Sequence, residues 1–196
     1  PVIISTSSGV SGVNNVFVSD SCAYLAGRQL YIFDVSNPYS PSLISSTDFG
    51  SSFEDVFVSG NYAYMTDTYT MKIIDVSDTS NPVLTGTYNA VPQYAEIVQV
   101  IGNYAFTKYQ TVDIVDISDP STPFRSASYN TTDNNGDIYV NNSHIFLADG
   151  YSGRFKILSY SLPTFFVISP NGGEGWGLGT AQQISWTSTG SIAYVK

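Results

Sequence analysis

Basic residues are scarce in this chain: 7 Lys and Arg stand against 16 Asp and Glu over 196 residues, for a formal net charge of −9. Contact with nucleic acid or with an anionic membrane surface needs a Lys/Arg patch to neutralise phosphates, so this balance excludes both as partners. Cysteine is almost absent. Cys22 stands alone, which excludes an intrachain disulfide and a Cys-based metal site. His144 is the single histidine and has no His, Cys or acidic residue at ligand spacing. No apolar run approaches the roughly 20 residues that a membrane span needs. A signal peptide is also lacking, and an opening on Pro1 rather than Met reads as a processed or partial product. Catalytic constellations are missing too: there is no Ser/His/Asp arrangement and no phosphate-cradling glycine loop, and Glu54, Glu96 and Glu174 look widely dispersed. The sequence therefore predicts neither an enzyme nor a cofactor.

What is present is a repeat. Copies start at Pro1, Pro41, Pro82 and Pro123 and divide the chain into 1–40, 41–81, 82–122 and 123–162. Each copy opens on a short apolar run after its proline, seen as Val2-Ile3-Ile4, Leu43-Ile44 and Val83-Leu84. A Val-x-Val segment and a turn follow, as in Val56-Phe57-Val58-Ser59-Gly60-Asn61-Tyr62-Ala63-Tyr64 and Val98-Gln99-Val100-Ile101-Gly102-Asn103-Tyr104-Ala105-Phe106. A third run closes on Asp: Ile32-Phe33-Asp34-Val35-Ser36, Ile73-Ile74-Asp75-Val76-Ser77 and Ile114-Val115-Asp116-Ile117-Ser118. Cys22 and His144 occupy the places of Tyr62 and Tyr104, so both read as strand side chains rather than as a reactive thiol or a ligand.

These anchors resemble the LVIVD repeat over roughly residues 1–162. The resemblance implies a β-propeller exported by bacteria or archaea, and it carries no catalytic residues. The residues alone point the same way. Apolar positions alternate with period two over short spans separated by Gly, Asn, Asp and Pro, which predicts four strands per copy and no helix. The fold class expected is all-β, a propeller of four four-stranded blades or part of a larger one. Gly60-Asn61 and Gly102-Asn103 suit tight hairpins because both residue types tolerate positive φ.

Asp34, Asp75 and Asp116 recur at a strand end two residues before Ser, where a carboxylate can accept backbone N–H bonds of the following turn; they are expected to be architectural caps. Asp67 and Asp149 fall at equivalent places after the Tyr strand of copies two and four, which makes them the candidates for a cation between facing blades. Solvated loop aspartates are the alternative. Asn130-Thr131-Thr132 and Asn141-Asn142-Ser143 match the acceptor pattern for N-linked glycans, a pattern that Asn- and Thr-rich turns also produce by chance.

After Pro163 the repeat stops. Phe165-Phe166-Val167-Ile168, then Pro170-Asn171-Gly172-Gly173-Glu174, Trp176 and Ile184-Ser185-Trp186 are similar to the opening of Ig-like modules such as the amino-terminal domain of the fungal Kre9/Knh1 wall proteins. Residues 163–196 are thus expected to be the start of an Ig-like β-sandwich module, or linking or exchanged strands.

Val2, Ile3 and Ile4 form a spare strand at one end of the repeat array, while the last copy runs out one strand short. Pairing them inside one chain would close a ring, and pairing them between chains would build a head-to-tail fibre, with Phe165, Phe166, Val167 and Ile168 as further assembly candidates. The function expected is a non-catalytic structural or interaction protein, extracellular or at the cell surface, acting in adhesion, scaffolding or self-assembly. Its partners would be itself or other surface proteins, and carbohydrate through the Tyr-rich loops. The alternative is a ligand-binding propeller, for carbohydrate or a cation, or an enzymatic one, using loops at one mouth of the channel.

Overall fold

The computed structural model describes residues 1–90, 95–131, 136–150, 153–161, 164–169 and 183–189, apart from the side chains of 149, 164–169 and 188–189. The chain divides into two compact units, Pro1–Leu158 and Ser159–Lys196. All regular structure among the described residues is β-strand.

The first unit repeats one sheet. Blade 1 comprises β1 (Asn15–Ser19), β2 (Cys22–Ala26), β3 (Leu30–Asp34) and β4 (Ser42–Thr47), hydrogen-bonded in that order. Blade 2 repeats it with β5 (Asp55–Ser59), β6 (Tyr62–Thr66), β7 (Thr70–Asp75) and β8 (Val83–Asn89). Blade 3 has β9 (Ile97–Ile101), β10 (Tyr104–Lys108), β11 (Thr111–Asp116) and β12 (Phe124–Asn130). Blade 4 has, among the described residues, three strands, β13 (Gly136–Val140), β14 (His144–Asp149) and β15 (Arg154–Ser159). The unit is a β-propeller made of four antiparallel blades. In the second unit, β16 (Thr164–Ser169) pairs antiparallel with β17 (Ser185–Thr189) as a two-stranded sheet.

Local chemistry sets these strands. The hairpin between the first two strands turns through a left-handed residue in three blades, supplied by Gly60 at φ 57° and Gly102 at φ 56° in blades 2 and 3. Copy one puts Asp20 there at φ 51°, a conformation that short polar side chains tolerate best after glycine. Along the third strands, Ile32 and Phe33, Ile73 and Ile74, and Ile114 and Val115 flank a bulge against the outer strand at the same place in three blades.

Packing runs from blade to blade. Val56 and Val58 of β5 sit 2% and 7% exposed against Leu30, Ile32 and Phe53. In the same way Val98 and Val100 of β9 pack on Tyr64, Met71 and Ile73. Each such side chain moved out of water contributes about 1.5–3 kcal/mol. The pattern breaks at blade 1: Val16 and Val18 of β1, in the same register, are 57% and 59% exposed. At the other end of the array Tyr139, Phe155 and Ile157 of blade 4 are exposed as well. Val2–Ser5, expected as a strand, has no ladder; Val2 and Ile3 lie open to solvent, because the outer strand of a blade forms only beside that blade's third strand.

Candidate functional site

The inner strands of all four blades begin around one cavity of about 670 Å³, lined by Val13, Asn14, Asn15, Glu54, Asp55, Glu96, Ile97 and Asp137. Asn15, Asp55, Ile97 and Asp137 are equivalent positions, each at or beside the first residue of its blade's inner strand. Four carboxylates therefore meet at one mouth. The dispersion of Glu54 and Glu96 along the sequence is corrected here: one repeat length separates them in the chain, and the repeat brings both to the same opening. Glu174 lies outside the described residues. The signal that could have found the site was available: the residues immediately ahead of each Val-x-Val segment, aligned across copies, read Asn14-Asn15, Glu54-Asp55 and Glu96-Ile97.

Hydrogen bonds across the blades hold this mouth in place. Asp55 accepts the Val56 N–H at 2.8 Å and, from the next blade, the Val98 N–H at 2.9 Å. Burial nonetheless lifts its carboxyl above the ordinary value, opposed by those two N–H groups and reinforced by the Asp137 charge. Glu96 is also raised, by burial and then by Glu54, with Lys108 working against the rise. Asn14 donates to the Phe53 carbonyl at 2.8 Å and to Glu54 at 3.3 Å, tying blade 1 to blade 2. Gln99 does the same between blades 3 and 4, donating to the Ile138 carbonyl at 2.8 Å and accepting the Val140 N–H at 2.9 Å. Such an opening attracts cations; burial is the main cause of both raised acids, and a neighbouring carboxylate, Asp137 for Asp55 and Glu54 for Glu96, adds to each. Among the described residues no group of three or more His, Cys, Asp or Glu is arranged to hold a metal ion.

Asp67 lies at the same end of blade 2, one strand further from the inner edge, since Asp55 pairs with Thr66. Its carboxylate is engaged by its own chain. It accepts the Tyr69 N–H at 2.9 Å, the Thr70 N–H at 2.7 Å and the Thr70 hydroxyl at 2.8 Å, and pairs with Lys72 at 3.0 Å. Burial acts to raise its pKa, but the bonds from Ser51, Tyr69, Lys72 and Thr70 outweigh that and hold it at about 2. The side chain of Asp149, the other member of the candidate pair, lies outside the described residues.

Asp34, Asp75 and Asp116 each accept the backbone N–H of the serine two residues on, at 2.8, 2.9 and 2.9 Å. Ser36 and Ser77 hold Asp34 and Asp75 below the usual carboxylate range, first through their hydroxyls and then through their N–H groups. A second turn of the same kind follows, with Asn37, Asp78 and Asp119 accepting from Tyr39, Ser80 and Ser121. Asn130 ends β12 and is exposed; the next residue, Thr131, is buried and donates its hydroxyl to the Gln110 carbonyl, and Thr132 lies outside the described residues. Asn141 accepts the Ser143 and His144 N–H groups in a turn. The side chains of Phe165, Phe166, Val167 and Ile168 also lie outside the described residues.

A family model for the LVIVD repeat matches residues 12–48, 50–90 and 92–131, more than half of the chain. Among solved structures, the chain is similar to the computationally designed Ika4 protein, with 11% identity and a TM-score of 0.65, covering 82% of this chain and 99% of that one. It is also similar to a functionally unknown protein from Desulfotomaculum acetoxidans DSM 771, at 12% identity and a TM-score of 0.65, over 75% of this chain and 54% of that one. A protein from Lactobacillus plantarum matches at 14% identity and a TM-score of 0.58, again over 75% and 54%. The chain thus spans nearly all of the designed protein and about half the length of the two natural ones. No curated protein matches it.

Proposed function

The chain belongs to the LVIVD-repeat family, and we propose that it serves as a non-catalytic structural or interaction module, extracellular or at the cell surface, that works by self-assembly through β-strand complementation. One observation carries this reading. Among the described residues blade 4 has three strands, while Val2–Ser5, equivalent in the repeat to an outer strand, lies unladdered at the other end of the same unit. An edge without its strand and a strand without its edge are complementary between copies, and contacts that join one end to the other propagate or close. The net charge of −9 and the low content of charged side chains accord with an exported location. We read residues 163–196 as the start of an Ig-like module that continues the surface architecture. Other surface proteins and carbohydrate are the further partners of this reading, and Asn130 and Asn141 its glycan acceptors. Sedimentation velocity across a hundredfold range of concentration, with negative-stain microscopy, tests it: associated species are expected, and a monomer at every concentration refutes it.

The carboxylates at the mouth favour a second reading, in which the propeller binds a ligand there, a cation or a carbohydrate, or acts on one. Calorimetric titration with calcium, magnesium and simple sugars tests it, with loss of any signal in a Glu96→Gln, Asp137→Asn variant as the expected control.

A further inference from the structure

We propose that the cleft between the β2–β3 turn of blade 1 and the loop that enters blade 2 binds an acidic sugar, with the Arg28 guanidinium on the sugar carboxylate and Asp48 on its ring hydroxyls. The surface reading supplies the carbohydrate partner on which this rests; the site and the class of sugar go beyond it. The cleft measures about 490 Å³ and is lined by Arg28, Asp48, Gly50, Ser51 and Ser52. Small-molecule sites span roughly 300–1,000 Å³. It shares no lining residue with the acidic mouth. Its floor is set by the sequence between β4, which ends at Thr47, and β5, which begins at Asp55. There Asp48 accepts the Gly50 N–H at 2.7 Å, and Gly50 turns through φ 77°. A Cβ at Gly50 would meet nothing within 4 Å, so the space beside the turn stays open.

Both walls are fixed by the chain itself. On one side the stem of Arg28 lies across Gly12, where an added Cβ would come 3.2 Å from the arginine Cγ, and the Arg28 N–H donates to the Ser11 carbonyl at 3.4 Å. On the other, Phe53 is fully buried and donates its N–H to the Gly27 carbonyl at 2.8 Å, which ties the loop to the turn that carries Arg28. Blade 2 holds Ser51, whose hydroxyl accepts from the Lys72 ammonium and bonds to Asp67. That ammonium also lies 3.0 Å from Asp67 and 5.3 Å from the centre of the Phe53 ring. Lys72 and Asp67 therefore neutralise one another behind the wall. Arg28 and Asp48 do not. Among the described residues the guanidinium has no acceptor or ion-pair partner, and the Asp48 carboxylate has only the Gly50 N–H. Two opposite charges that line one cleft without closing on each other leave a donor fork and an acceptor for a third group. A carboxylate matches the fork in two parallel bonds, while ring hydroxyls donate to Asp48 and accept from the Ser52 hydroxyl. The lining holds no aromatic or aliphatic side chain, so it lacks the apolar anchor on which peptide recognition depends. Walls already in place spare the ligand the cost of ordering them.

The test is saturation-transfer NMR, which reads weak ligands on a protein of any assembly state. The full chain is titrated with methyl glucuronoside, with the neutral methyl ester of the same sugar, and with an acidic dipeptide. The acid is expected to bind, and the ester and the dipeptide to bind about tenfold more weakly or not at all. Arg28→Gln should weaken the acid by about the same factor, and Arg28→Lys, which keeps the charge and loses the fork, should fall short of the parent. Asp48→Asn retains the Gly50 bond and should weaken the acid as well; a gain in affinity would make Asp48 a repelling charge and overturn the arrangement. Glu96→Gln with Asp137→Asn should leave binding unchanged. A loss in that variant moves the ligand to the mouth, and binding unmoved by Arg28→Gln, or an ester that binds as well as the acid, removes this site; in each case the carbohydrate reading stands without it. A dipeptide that binds as tightly as the acid overturns the sugar as ligand. If neither sugar binds, the site and the carbohydrate partner fall together.

Discussion

Tyr88 donates its hydroxyl to the Asp113 carboxylate at 2.7 Å, so that the outer strand of blade 2 is pinned to the third strand of blade 3. Both residues are buried, and Asp113 also accepts the Ser128 hydroxyl at 2.6 Å and lies 3.7 Å from Arg125. Burial, then the bond to Asp113, pushes the Tyr88 phenol well above its ordinary value, which keeps it a donor at all physiological pH. Asp113→Ala removes the shared acceptor and leaves a buried hydroxyl and a guanidinium without it. The expected cost is about 3 kcal/mol, whereas Tyr88→Phe should cost about 1 kcal/mol because Ser128 and Arg125 still satisfy the carboxylate. Urea unfolding of both variants checks the order, and equal losses would sink the account.

Ser45 of β4 donates its hydroxyl to the Thr79 carbonyl at 2.7 Å, and Gly86 makes the corresponding contact one repeat later. A Cβ there would overlap the Pro120 carbonyl of the next blade, so the absence of a side chain is what lets blade 2 approach blade 3. Gly86→Ala is expected to destabilise by about 1–3 kcal/mol through forced separation of the two backbones. Ser45→Ala, which loses one hydrogen bond and makes no clash, should cost about 1 kcal/mol. Thermal unfolding distinguishes them, and a neutral Gly86→Ala would mean that the boundary relaxes.

Asp67 gives the fold an acid-sensitive element. Its folded pKa of about 2 lies below the ordinary 3.8, so the ionised form is favoured in the native state. The stability it contributes is fully present above pH 4 and is lost as pH falls from 4 towards 2. Asp67→Asn should therefore be less stable than the parent at pH 6 and converge with it near pH 2. Parallel stability curves across that window would falsify the assignment.

The strands themselves were legible because the forces that set them are local. The Val-x-Val alternation, the left-handed Gly60 and Gly102, and the Asp-x-Ser turns at Asp75 and Asp116 act within a few residues of themselves, and the sequence carries each in register. The unmatched strand at Val2–Ile4 was legible, but the exposed face of β1 was not. Val16 and Val18 carry the same residue types as Val56 and Val58, and what distinguishes them is the neighbouring blade, which no residue in their own copy encodes. The acidic mouth went unread for a related reason: Glu54 and Glu96 are far apart in sequence and meet only after the repeat is folded about the inner strands. The loop after the second strand offers Asp67 instead, which its own turn and Lys72 already occupy. A consequence for mutagenesis follows directly. Val58→Ala should cost about 1–3 kcal/mol in a monomeric protein, and Val18→Ala, exposed in the single chain, should cost that much only where another blade covers it.

The mouth supplies the last prediction. Burial and the Glu54 charge raise Glu96 above its ordinary 4.5, so here the folded state disfavours the ionised form. Its contribution has the opposite sign to that of Asp67: stability falls as pH rises through 4.5 towards the folded value, and below that range Glu96 is protonated in both states and carries no penalty. Glu96→Gln should consequently raise the unfolding temperature at pH 7 and leave it unchanged at pH 3. Salt should shrink the gain, because the repulsion it relieves is at a partly solvated opening. If the mouth takes a divalent cation, calcium will raise the unfolding temperature of the parent at pH 7 and have less effect on the variant. Scanning calorimetry at pH 3 and pH 7, with and without calcium, reads all of these. A variant less stable than its parent at pH 7 would show that Glu96 is a structural acceptor, and the crowding of carboxylates at the mouth would then have no energetic consequence.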